Sequence, residues 1–167
     1  MRKLLIPCLI ALAIPATALA FTRTPPLPPG SNGTLSIREA RGVVNLSARG
    51  SMTGRLNGRV TITDPKPFDS KRAIVYGATK TIYRNEKTTV FQGKNLRFRA
   101  IGALFQIRAE GKTIFVSALA RGWVTLDGAG DVSANIYYDG VFSLNDEAYR
   151  SLPDDPERFD VVASPSG

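Results

Sequence analysis

Apolar and polar residues alternate with a period of two through most of the chain, and no stretch holds the 3.6-residue period of an amphipathic helix. The clearest run is 96–127, LRFRAIGALFQIRAEGKTIFVSALARGWVTLD, interrupted only by short glycine-containing turns. This pattern predicts consecutive antiparallel strands with one face buried and the other wet. Leu96, Phe98 and Ala100 take the inward parity, followed by Phe105, Ile107 and Ala109. Around Ile114, Phe115 and Val116 both parities are apolar, so 112–120 is expected to be a central strand covered on both faces.

An earlier stretch resembles this one at an offset of 61: Leu35–Gly50 lies over Leu96–Gly111 without a gap, and Leu35/Leu96, Arg38/Arg99, Ala48/Ala109 and Gly50/Gly111 are identical. The similarity predicts an internal duplication of a short meander, too long in period and too few in copies for a solenoid. In the first unit Leu35, Ile37, Val44, Leu46, Ala48, Val60 and Ile62 point inward, with turns at Arg41-Gly42 and Asn57-Gly58. An Asn-Gly pair between alternating segments is a strong hairpin signal.

Between the units, Asp64–Lys71 holds two prolines and reads as a loop, followed by short edge strands at 74–76, 81–83 and 88–91. After the second unit the pattern predicts a hairpin of 132–138 with 141–144 around Asp139-Gly140. It also predicts a single helical turn within 146–152 and an acidic, mobile tail from Pro153. About eleven short strands at this spacing predict an all-β antiparallel sandwich spanning 34–152, with a closed barrel as the alternative.

The first 33 residues change where the domain is expected to work. Arg2 and Lys3, the apolar run 4–15 and Ala18-Leu19-Ala20 have the form of a secretory signal peptide, and Phe21–Gly33 that of a Pro/Gly-rich spacer. The apolar run is too short for a membrane-spanning helix. Cleavage after Ala20 would remove Cys8, leaving a secreted, periplasmic or cell-envelope chain with neither Cys nor His. No disulfide framework is then possible, and the usual zinc ligands, general base and thiol nucleophile are missing. Stability has to come from a packed core.

Charge is divided along the chain: 18 Lys and Arg against 5 Asp and Glu over 21–126, then 2 against 9 over 127–167. A basic domain of this kind takes a polyanion partner, unless its own acidic end covers the basic face. Parity sends Arg38, Arg49, Arg59, Arg97, Arg99 and Arg108 outward with Trp123, so that guanidinium groups gather on one wall beside an indole. Such a wall could bind phosphate, sulfate or carboxylate groups bidentately, and Arg38, Arg59, Arg97, Arg99, Arg108 and Trp123 are the candidate binding residues. Export and the lack of a glycine-aromatic signature argue against nucleic acid.

Catalytic readings find little support. Tyr76 and Lys80 have a Tyr-x-x-x-Lys spacing but lie across a strand turn with no dinucleotide fingerprint. Asp127, Asp131 and Asp139 could supply a hydrolytic carboxylate pair or a calcium site, although turn formation explains them equally. No cofactor or metal site is expected. The sequence therefore points to an exported, non-enzymatic module that binds an anionic envelope polymer or surface. A carrier of small apolar ligands, with Phe98, Phe105, Phe115 and Tyr137 lining a barrel, is the alternative.

Overall fold

A computed structural model describes residues 26–130 and 139–163; the expected signal peptide, most of the expected spacer, Asp131, Tyr137 and the predicted strand 132–138 lie outside these. The described residues form antiparallel β-structure without a helix: β1 (Gly33–Thr63), β2 (Ile74–Tyr76), β3 (Lys80–Arg84), β4 (Thr88–Gly128), β5 (Val141–Leu144), β6 (Arg150–Ser151) and β7 (Glu157–Val161). The sheet has free edges and is not closed into a barrel. Instead of many short strands, two elements of 31 and 41 residues dominate.

A straight strand of that length would extend about 100 Å. β1 and β4 instead bend repeatedly and wind past each other, so that most of β1 pairs with β4 along both edges. Val44, for example, lies between Ala109 and Leu126, while Ala109 lies between Val44 and Val60. The ladder therefore resolves into two rows. One row runs β3, then 88–93 of β4, 58–63 of β1, 104–111 of β4, 42–50 of β1, 120–128 of β4, and β7. The other runs β2, then 96–101 of β4, 51–56 of β1, 114–120 of β4, 33–40 of β1, β5 and β6.

Glycine makes the bends. Gly58 takes φ 150° and pairs with both Gly93 and Gly111, whose own φ is 142°. A Cβ on Gly58 would overlap the Glu110 carbonyl oxygen and sit 3.0 Å from the Cα of Gly111. Two backbones can cross this closely only where neither has a side chain. The predicted reversals at Arg41-Gly42 and Asn57-Gly58 are therefore bends within one continuous strand. Near the same crossings, Glu39, Asn95 and Thr113 adopt positive φ, and the added residues reset which parity faces inward.

Between resets the predicted parity is observed. Leu35, Ile37, Val44, Leu46, Ala48, Val60, Ile62, Leu96, Phe98, Ala100, Phe105, Ile107 and Ala109 are buried, and side chains from both rows join one hydrophobic cluster. A fully buried residue of the size of Phe105 or Ile114 contributes about 1.5–3 kcal/mol through removal from water. The strand around Ile114 differs from expectation. Its inward side, Ile114, Val116, Ala118 and Ala120, is buried, but Ser117 and Leu119 are exposed, so its other face is open.

The acidic end also differs. Glu157–Val161 is not a tail but β7, paired with Gly122–Leu126 through inward Phe159 and Val161. The predicted helical turn at 146–152 is absent: the chain turns at Asn145-Asp146, both at positive φ, and enters β6. Asn145 secures this turn by accepting from the Thr34 amide and donating to the Val162 carbonyl.

Candidate anion-binding groove

The predicted single wall of arginines is divided between the outer faces of the two rows. Arg59, Arg108 and Trp123 lie on the row that ends in β3 and β7, and Arg49 lies with them. There Arg59 and Arg108 meet a carboxylate within the face, whereas Arg49 lies opposite Arg121. Arg108 Nε donates to Glu110 Oε1, Arg59 Nη1 lies 3.8 Å from Glu110 Oε2, and Arg108 Nη1 reaches Asn45 Oδ1 at 3.4 Å. Trp123 is half-buried beneath Arg158, whose guanidinium lies 4.7 Å from the ring centroid and 3.9 Å from Asp160. The acidic end thus covers Trp123. Arg59, Arg108 and Trp123 are therefore engaged within the molecule.

Arg38, Arg97 and Arg99 lie on the other row, where they join Arg55. Cross-strand register aligns them: Arg97 is directly opposite Arg55, Arg55 is opposite Phe115, and Tyr76 flanks Arg97 from β2. One step along, Arg99 is opposite Thr53, Thr53 opposite Ser117, and Ser117 opposite Ser36. With strands about 4.8 Å apart, the line from Arg97 to Arg38 spans three strand spacings, about 14 Å. The floor is open because Ser117 and Thr53 carry small side chains. The resulting groove has a volume of about 940 Å³.

None of Arg38, Arg55, Arg97 and Arg99 has an ion-pair partner among the described residues. Aromatic faces hold two of them. The Arg55 guanidinium lies 4.1 Å from the Phe115 centroid and that of Arg38 lies 4.4 Å from the Tyr149 centroid. Tyr149 is fixed in turn by a 2.8 Å hydrogen bond between its hydroxyl and Ser36 Oγ. Stacking on an aromatic face leaves the edge of the guanidinium, with its N–H donors, directed at solvent. At one end of the groove, Glu39 shares an adjoining hollow with Arg55, Asn57, Asn95, Arg97 and Thr113.

Arg55 is the site residue that the sequence reading missed. The signal was present: Met52 and Leu56 are buried inward residues, so Thr53 and Arg55 must point outward. Among the described residues, which leave out Asp131 and Tyr137, the other candidate chemistry is not assembled. Phe98 and Phe105 are buried in the core, whereas Phe115 is half-buried on the outer face, so they line no common barrel cavity. Asp139 accepts from the Gly130 amide at 2.9 Å, and no group of three potential metal ligands exists among the described residues. No protein family, curated protein or solved structure matches this chain.

Proposed function

We propose that the chain is an exported, non-enzymatic binding module that holds an anionic envelope polymer or surface along the Arg38–Arg55–Arg97–Arg99 groove. In this reading the two rows pack face to face as a sandwich bent from two long strands, and the groove is the open outer face of one layer. The observation that carries it is the placement of Arg55 directly opposite Arg97 without a carboxylate partner. Like charges facing each other across a strand pair cost stability, whereas an anion between them turns the same placement into attraction. Arg59 and Arg108 on the opposite outer face serve as an internal contrast, because Glu110 already occupies their guanidinium groups.

The test is binding of the purified protein to envelope fractions and to a defined anionic polysaccharide across a salt series. Affinity is expected to fall steadily with salt, because exposed charges are screened within about 8 Å at physiological ionic strength. Arg55→Glu combined with Arg97→Glu removes two charge-assisted contacts, about 3 kcal/mol, and is expected to weaken binding about 100-fold. Arg59→Glu combined with Arg108→Glu is expected to change binding less than threefold. Binding indifferent to salt, or equal loss in both pairs, overturns the assignment.

A further inference from the structure

Among the described residues, both rows end in strands that bond on one side only. At one end these are β2 and β3, paired with β4 alone; at the other they are β6, paired with β5, and β7, paired with β4. The unpaired N–H and C=O groups of such edges form a template for another chain, and folded proteins usually guard them with charge. Here the two guards have opposite sign. Residues 64–87 around β2 and β3 carry 6 Lys and Arg against 3 Asp and Glu. Residues 145–163 around β6 and β7 carry 2 against 6.

Edges of this kind repel their own kind. A twofold pairing of β3 with β3 would bring Lys80 and Arg84 against the same residues of the partner copy. A twofold pairing of β7 with β7 would do likewise for Glu157 and Asp160. Pairing of β3 with β7 matches basic to acidic. The basic end also concentrates apolar surface: of eight large hydrophobic residues exposed among the described residues, Phe68, Ile74, Tyr76, Ile82 and Tyr83 lie there, with Phe68 85% exposed. Exposed apolar side chains beside a free sheet edge mark a surface that gains from being covered.

We propose that a second copy of this chain covers it, so that molecules stack end to end with the β2–β3 edge of one against the β6–β7 edge of the next. Because β3 and β7 both run antiparallel to their neighbouring β4 segments, a translated copy continues the row through a parallel pairing. The interface is heterologous: each copy keeps one free end of each sign, and growth does not close at a dimer.

Sedimentation velocity of the purified, polymer-free protein from 1 to 100 μM tests this. The mean sedimentation coefficient is expected to rise with concentration past the dimer value, and to return to that of a monomer in 1 M salt. Lys80→Glu/Arg84→Glu makes both ends acidic, and Glu157→Lys/Asp160→Lys makes both basic. All four side chains are exposed, so unchanged circular dichroism is expected. Each variant alone is expected to remain monomeric, and an equimolar mixture to regain at least half of the wild-type association. A wild-type monomer at every concentration, a species that saturates as a dimer, or a mixture that stays monomeric overturns the proposal.

Discussion

Substituting Gly58 with alanine tests the winding of the two long strands most directly. The added methyl would meet the Glu110 carbonyl oxygen and lie 3.0 Å from the Cα of Gly111, both backbone atoms fixed by pairing along two edges. Overpacking of this kind costs about 1–3 kcal/mol, and holding a side chain at φ 150° adds about 1–3 kcal/mol. A total of about 4 kcal/mol is a large fraction of the 5–15 kcal/mol that stabilises a typical domain. For a domain of this size it lowers Tm by about 12 °C. Gly130→Ala is the matched control. Gly130 also has positive φ, 58°, but none of the described residues lies within 4 Å of its Cβ direction, so the left-handed backbone cost of about 1–2 kcal/mol is what remains. Urea and thermal unfolding followed by circular dichroism separate the two. Equal destabilisation by the two substitutions would refute the claim that close backbone crossing, rather than backbone conformation, fixes glycine at residue 58.

Two further substitutions address the face that carries Trp123. The indole Nε1 is buried without a hydrogen-bond partner among the described residues, so Trp123→Phe removes an unsatisfied donor along with some apolar area. Its net effect on urea stability is expected to stay within about 1 kcal/mol, well below the 3–5 kcal/mol of an ordinary buried aromatic truncation. Glu110→Gln frees Arg59 and Arg108 together; a loss of about 1 kcal/mol at low salt that shrinks at high salt is expected from paired denaturation curves. A salt-independent loss would assign Glu110 a packing role instead.

Side-chain parity was legible along both long strands because burial at Leu35, Val44, Leu96 and Phe105 repeats every second residue wherever the strand runs unbroken. The path of the chain was not. A glycine-containing pair such as Asn57-Gly58 signals a reversal when its own neighbours fold back on it. Here the backbone that decides the matter belongs to residues 93 and 111, far along the sequence. β7 was hidden for another reason: Glu157, Arg158 and Asp160 mask a strand whose apolar content is confined to Phe159 and Val161. In the groove, the outward direction of Arg38, Arg97 and Arg99 followed from parity alone. Their separation from Arg59 and Arg108 depended on where each strand crosses from one row to the other, and Glu39, Asn95 and Thr113 announce those crossings only through their backbone angles.

The intertwining also constrains how the molecule comes into being. Among the described residues, every ladder partner of β1 belongs to β4 or β5, at separations from 25 residues, Thr63 with Thr88, to 109, Leu35 with Leu144. A chain interrupted ahead of Thr88 therefore contains a complete β1 and nothing for it to bond to. Structure acquired in this way arrives late and nearly all at once, at the slow rate typical of non-local pairing. Until then the polypeptide lacks the partner strand on which nearly all of its backbone pairing depends.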